Sequence, residues 1–252
     1  MKCPGIYKIS HEVETSDVLI KGDSYHQIDF PTTIIRKKVS SLEGGQGYVG
    51  CYENISGNIV AIKHYNKFMP TMKYFNNAAK LLKMNIGDVA NLPIYMDEEK
   101  GFMVFEAGIG DVFDFITSNQ EHTRDDMINI MQQMTYCVLL FHENNIIHCD
   151  IKPENMIIFN RSSDGIQIEL GDLDSCVINK DITKHPYTPF YTPPEDTISD
   201  KTDIYALAMS IIVLLTKSMN VDFKVLFKEL SKLFCEDSVL VHNDVKYHCK
   251  KK

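Results

Sequence analysis

Apolar positions recur at helical spacing in some stretches of the chain and at strand spacing in others. From Thr71 to Met84, Met72, Phe75, Ala79 and Leu82 fall on one face of a 3.6-residue period, which predicts an amphipathic helix. Asp125 to Asn144 repeats the pattern over a longer span, with Met127, Ile130, Met134, Cys137, Leu140 and Phe141 on the side predicted to be buried. Asp203 to Thr216 is apolar nearly all round, which predicts a central helix. Thr33 to Tyr65 reads as strands interrupted by a glycine cluster, and Phe102 to Phe105 as a short apolar strand. Met156–Phe159 and Ile166–Leu170 read as two more strands around the turn signal Asn160–Gly165. Short apolar runs at Ile6–Ile9 and Val18–Ile20 predict an appended hairpin or a loosely packed extension. Strands come first and helices mostly follow, the order of an α+β protein with a sheet-rich front and a helical back.

Composition narrows the class. The 252 residues, 44% of them hydrophobic, suffice for a core in one two-lobed domain or two small ones. A net charge of −8 leaves whole-protein attraction to nucleic acid or to an anionic membrane without a basis. The start MKCPGIYKIS has no apolar signal core, and the longest apolar stretch, Ala206 to Leu215, is too short to cross a bilayer. The seven cysteines include no CxxC pair, which predicts free thiols in an intracellular, reducing setting, the cytoplasm first and the nucleus second. Cys235, His242, His248 and Cys249 gather near the end in a spacing that fits no standard zinc site. The Lys246 to Lys252 run reads as a solvated end.

The chemistry concentrates in His148-Cys149-Asp150-Ile151-Lys152-Pro153-Glu154-Asn155, a polar run between a long helix and a strand. Farther on, Gly171-Asp172-Leu173-Asp174 closes the next hairpin. Phosphoryl transfer needs a carboxylate to orient the attacking hydroxyl, a cation to meet the phosphoryl group, and hard oxygens to hold Mg2+. Asp150 can orient the hydroxyl, and Lys152 can reach the γ-phosphate from the same loop. Asn155 and Asp172 supply the oxygen ligands. Upstream, Gly44-Gly45-Gln46-Gly47-Tyr48-Val49 is a glycine turn whose backbone N–H groups can approach phosphates. Val60-Ala61-Ile62-Lys63 follows, and a lysine inside an apolar strand must place its charge, for which bound phosphate is suitable.

In this order the motifs resemble those of eukaryotic-type protein kinases over roughly residues 36 to 235. Thr192-Pro193-Pro194-Glu195 resembles the close of the activation segment, and Asp203 to Ala208 the start of the central helix of the second lobe. The resemblance implies a two-lobed fold, with a β-rich N-lobe and hinge over 33–108 and a helical, shortened C-lobe over 109–252. Residues 1–32 are then an N-terminal extension. It implies ATP held by Leu42, Gly44, Gly45, Gly47, Val49, Ala61, Lys63, Glu106, Gly108, Asp111 and Ile157. Phe105 is the gatekeeper before the Glu106 to Gly108 hinge, and Asp111 serves either a ribose hydroxyl or a helix N-cap. Mg2+ would be held by Asn155 and Asp172, with Asp150, Lys152 and Lys63 as the catalytic groups. The Lys-Pro-Glu-Asn form of the loop is the serine/threonine type, and the substrate implied is a protein. The lean architecture resembles that of kinases carried by large DNA viruses.

Several positions depart from the family pattern. Leu42 stands where the first loop glycine falls. Residues 71 to 87 contain no acid to pair with Lys63, and Asn76 or Asn77 occupies the expected place. Lys63 is then held by phosphate alone, or by an acid from elsewhere, or the activity is low. Cys149 replaces the arginine that reads a phosphorylated activation loop, so phosphorylation of Thr183, Thr188 or Tyr191 is not expected to activate. Asp174 replaces a glycine and either binds metal through water or stiffens the turn. The shortened C-lobe invites self-association or a partner. Two other readings remain: a pseudokinase acting as a binding module, and a small-molecule phosphotransferase, which the Asp-Leu-Asp ending suggests.

Overall fold

Alternating side chains build the front of the molecule as a sheet. The structure, a computed structural model, describes residues 18–28, 41–44, 47–65, 71–118, 122–161, 165–178, 188, 190–195, 197–218, 239–242 and 245–248. Strands β1 (Val18–Ile20) and β2 (Asp23–Ile28) form a hairpin whose turn residues, Lys21 and Gly22, both have positive φ. Next come β3 (Ser41–Gly44), β4 (Gly47–Asn54) and β5 (Ile59–Tyr65). β3 and β2 share one edge of β4, β3 along Gly47–Gly50 and β2 along Cys51–Asn54. After helix α1 (Thr71–Leu81), β6 (Tyr95–Asp97) and β7 (Phe102–Glu106) complete a seven-stranded sheet in the order β1-β2-β4-β5-β7-β6, with β3 on β4. Ile20, Tyr52, Val60, Ile62, Phe102 and Val104 form the core on one face of this sheet.

α1 packs beside the sheet through Tyr74, Phe75 and Ala78, which meet Tyr65 and Met103. The buried stripe is therefore rotated from the sequence expectation. Met72 and Leu82 are exposed, and Leu81 is fully buried. The reason is Tyr74. Its ring stacks on Tyr65 with centroids 5.2 Å apart, so a residue read as polar presents its apolar body inward.

The back of the molecule opens with β8 (Gly110–Asp111), α2 (Val112–Thr117) and α3 (Arg124–Glu143). α3 starts at a capping box in which Thr123 Oγ1 accepts from the Asp126 N–H and Asp126 accepts from the Thr123 N–H. It buries Met127, Ile130, Met134, Cys137, Val138 and Phe141. Short β9 (Ile146–Ile147) leads into the polar loop, and β10 (Met156–Arg161) with β11 (Gly165–Leu170) forms the hairpin behind it. β12 (Val177–Ile178) pairs with β9, and α4 (Asp200–Ser218) packs on α3 and α2. These elements enclose the larger core, in which Ile130, Met134, Phe141, Ile151, Met156 and Ile158 are fully buried. Truncating any one of them to alanine costs roughly 2–5 kcal/mol. Among the described residues each predicted helix and strand is present within a few residues of its expected ends; the Ile6–Ile9 run and residues 33–40 lie outside them. This is the sheet-rich front and helical back of a kinase-like α+β fold.

Finally, β13 (Val239–His242) pairs with β14 (Val245–His248), so Lys246 belongs to a strand and not to a free tail. Val239-Leu240-Val241 is a short apolar run rich in β-branched residues, and Val245-Lys246-Tyr247-His248 alternates, both patterns of strands. Cys235, Cys249 and residues 249–252 lie outside the described residues. Among the described residues, no helix is long and apolar enough to cross a membrane.

Candidate active site

The polar loop is fixed from beneath by the first turn of α4. Asp203, fully buried, accepts the His148 N–H on Oδ2 at 2.7 Å and the Cys149 N–H on Oδ1 at 2.9 Å. His142 adds a 3.0 Å contact from Nε2 to the same carboxylate. Cys149 has φ 67°, a left-handed conformation costly for a non-glycine residue, and these bonds hold it there. His148 Nε2 donates to the Gly171 carbonyl at 3.0 Å, which fixes the tautomer and leaves Nδ1 to accept from the Asp150 N–H at 3.3 Å. The Gly171 N–H donates to the Asn155 carbonyl at 2.8 Å. The loop and the Asp172 turn are thus one hydrogen-bonded unit.

Within that unit Asp150 is buried and both its oxygens are engaged. Oδ2 accepts from Lys152 Nζ at 2.6 Å and from Asn155 Nδ2 at 2.9 Å. Oδ1 accepts the Thr188 hydroxyl at 2.6 Å. Asn155 Nδ2 also donates to the Asp150 carbonyl at 2.8 Å, which leaves the amide oxygen as its ligand end. Asp150, Lys152 and Asn155, expected to act together, are in direct contact.

Lys63 lies on β5 between Val49 of β4 and Met103 of β7 in the ladder. Its Nζ is 2.5 Å from Asp172 Oδ1 and 2.5 Å from Asp174 Oδ2. Burial opposes the lysine's charge, but the two carboxylates outweigh it and hold its ammonium above the ordinary range. Asp172 has φ 52° and ψ 58°, and its side chain keeps 38% of its surface open. Burial works against its charge, yet Lys63 prevails and draws its carboxyl below the usual range. Asp174 is only 7% exposed, and burial, with Asp172 nearby, pushes its carboxyl up against the pull of Lys63. Asp174 Oδ1 also accepts the Tyr65 hydroxyl at 2.9 Å. No partner for Lys63 comes from α1: Asn77 Nδ2 donates instead to the Cys176 carbonyl at 3.2 Å.

The nucleotide-side residues are partly described. Leu42 pairs with Val49 and Gly44 with Gly47 across the β3–β4 hairpin, and Gly45 lies outside the described residues. A Cβ on Gly47 would overlap the His64 carbonyl, so only glycine fits that approach. Ala61 pairs with Phe105, and Glu106 closes the same ladder opposite Val60. Gly108 lies so close to Ile157 that a Cβ would overlap Ile157 Cγ2. Asp111 pairs with Ile157 and caps α2, its Oδ1 accepting the Asp114 N–H at 2.8 Å. Cys149 is buried, and burial followed by Asp203 raises its thiol to about 12, so it is an inert thiol.

Among the described residues no group of three or more His, Cys, Asp or Glu side chains could hold a metal ion. The Asn155 amide oxygen and the half-open Asp172 carboxylate fit Mg2+, which is bound through one or two protein oxygens together with phosphates. Sequence reasoning passed over three contributors: Asp203 as loop anchor, Tyr65 as a donor to Asp174, and Thr188 as a donor to Asp150. An acid opening an apolar helix was the one available signal for Asp203; the other two depend on contacts between distant segments.

Comparison with known proteins agrees with this geometry. The family described as "Protein kinase domain" matches residues 43–248. The chain is 30% identical over 187 residues to "Calcium-dependent protein kinase 5" of Plasmodium berghei (strain Anka), covering 66% of this chain and 32% of that protein. It is 30% identical over 111 residues to "Serine/threonine-protein kinase DCLK1" of Rattus norvegicus, covering 42% of this chain and 26% of that protein. It is 28% identical over 127 residues to "Calcium/calmodulin-dependent protein kinase type II" of Caenorhabditis elegans, covering 47% and 18% respectively. The chain thus spans about a third or less of the length of these relatives.

Proposed function

The chain belongs to the protein kinase family, and from that premise we propose that it transfers the γ-phosphoryl group of ATP to serine or threonine hydroxyls of a protein substrate. The observation that carries this reading is the Thr188 hydroxyl donating to Asp150 at 2.6 Å while Lys152 and Asn155 hold the other carboxylate oxygen. An aliphatic alcohol already sits on the carboxylate proposed to receive one.

In the proposed reaction Asp150 accepts the hydrogen bond of the attacking hydroxyl and takes its proton as the oxygen–phosphorus bond forms. The bond from the γ-phosphorus to the bridging oxygen breaks, and ADP carries that electron pair away. Lys152 meets charge on the phosphoryl oxygens, and Lys63 binds the phosphates behind it. Asn155 and Asp172 would hold Mg2+, which when bound neutralises charge on the phosphates. Residues 33–108 serve as the lobe over the nucleotide, joined by the β1–β2 hairpin from the stretch expected as an extension, and 109–252 as the lobe of loop and substrate.

Purified protein with Mg2+, γ-labelled ATP and a basic protein acceptor tests the proposal. Label is expected on serine or threonine, and Asp150→Asn should reduce it by about a thousandfold. A loss below about tenfold would count against transfer by this site. No label, with ATP still raising the melting temperature, would favour a binding module; label on an aminoglycoside instead would favour a small-molecule phosphotransferase.

A further inference from the structure

We propose that Asp174, and no residue of α1, is the positioning residue that holds Lys63 against the phosphates. This rests on the kinase reading and deepens it. Lys63 has two acidic partners, Asp172 and Asp174, both at 2.5 Å and both on the turn after β11. They differ in what else they can do. Asp172 is half-open and is the carboxylate suited to metal. Once its oxygens turn to a cation, its hold on Lys63 weakens.

Asp174 is engaged on both oxygens. Its Oδ2 holds Lys63 and its Oδ1 accepts from Tyr65, so both oxygens are directed into the sheet lobe. Tyr65 is itself fixed by stacking on Tyr74 and by its place beside Lys63 on the sheet, with Lys63 Nζ 5.3 Å from its ring centroid. The clamp on Lys63 is therefore rigid.

These contacts give Asp174 a further role beside the two expected of it. Each oxygen of Asp174 has a partner within the protein, Lys63 on Oδ2 and Tyr65 on Oδ1. The Leu173–Ser175 turn is closed by its own backbone, the Cys176 N–H donating to the Leu173 carbonyl at 3.2 Å, which leaves the Asp174 side chain to the sheet lobe. Meanwhile α1 brings no acid, and Asn77 reaches the Cys176 carbonyl. The acid that holds Lys63 thus comes from the turn after β11, and α1 bears on it only through the Tyr74–Tyr65 stack and the Asn77–Cys176 bond.

The test compares full-length wild type with Asp174→Asn and Asp174→Glu. For Asp174→Asn, kcat is expected to fall at least about thirtyfold with KM for ATP within about threefold, since the lysine loses its aim and not the nucleotide its site. Asp174→Glu, which keeps the charge, should stay within about fivefold of wild type. Asp174→Asn within about threefold of wild type, or Asp174→Glu as poor as Asp174→Asn, would overturn the proposal.

A second readout needs no turnover. In lysine-13C-labelled protein with Mg2+ present, an immobilised Lys63 shows two distinct Hε signals, and a free one shows a single averaged signal. The pair should persist in wild type and Asp174→Glu and collapse in Asp174→Asn. Should Asp174→Asn fail to fold, Asp174→Gly carries the same measurement. Persistence of the pair without the acid overturns the positioning role whether or not the protein transfers phosphate. A pair that persists in wild type and collapses in Asp174→Asn, in a protein that transfers nothing, would leave the clamp intact and sink only the kinase reading.

Discussion

Thr188 shows how much a single side chain decides. Its hydroxyl donates to the Asp150 oxygen that Lys152 and Asn155 leave open. Phosphorylation there would set a dianion against a buried carboxylate, and the two repel. Thr188→Glu should therefore reduce transfer by about a hundredfold or more, and Thr188→Val by about tenfold. Activation by Thr188→Glu in a labelled-phosphate assay would refute this arrangement. Tyr191 is half-buried, and burial raises its hydroxyl far above the ordinary range. Thr183 lies outside the described residues. At this scale the loop His148 to Asn155 was legible because its residue types and spacing are the chemistry. The role of Asp174 was not, because a lone carboxylate in a motif does not disclose which distant cation it faces. The clue was a deficit: a strand lysine and a following helix without acids.

At the scale of elements, helices were read well where a long period of aliphatic residues faced one core, as in α3, whose buried Met127, Ile130, Met134, Cys137 and Phe141 were all anticipated. The buried face of α1 is rotated from the one expected, with Phe75 buried as read but Met72 and Leu82 exposed, because tyrosine can bury its ring while its hydroxyl stays polar, and a two-letter hydrophobic code has no symbol for that. β13 and β14 escaped notice since two four-residue strands carry too short a pattern to separate from a tail. The β4–β5 ladder has a titratable device of its own. His64 stacks on Tyr48 with centroids 4.6 Å apart and meets the Tyr52 hydroxyl at 3.1 Å. Burial lowers its pKa to about 4 from 6.5. The unfolded imidazole takes its proton near the ordinary value while the folded one stays neutral, so the unfolded state binds more protons across that window. Stability should thus fall as pH drops from about 6.5 to about 4. His64→Phe should flatten that part of the profile in thermal melts, and an unchanged slope would mean another group is responsible.

Across the whole molecule, one cation ties the two halves together. Lys63 comes from the sheet lobe, and Asp172 and Asp174 come from the turn that follows the β10–β11 hairpin of the helical lobe. Lys63→Met is usually chosen to silence chemistry, but here it also strips the counter-charge from two neighbouring carboxylates. Removing one partner of a buried pair costs about 3–5 kcal/mol. The lower end applies, because Asp172 keeps 38% of its side chain open and water screens part of the repulsion. A loss of about 3 kcal/mol in a chain of this size lowers the melting temperature by about 6–10 °C. Two further results should follow if the carboxylates are the cause. Mg2+ should restore part of the loss in Lys63→Met while changing wild type little, since it replaces the missing cation. Lys63→Met combined with Asp174→Asn should melt above Lys63→Met alone, because one buried charge has gone with its partner. A Lys63→Met protein that melts within about 2 °C of wild type would show instead that the backbone ties between Val89, Asn91 and Leu170 carry the junction of the lobes.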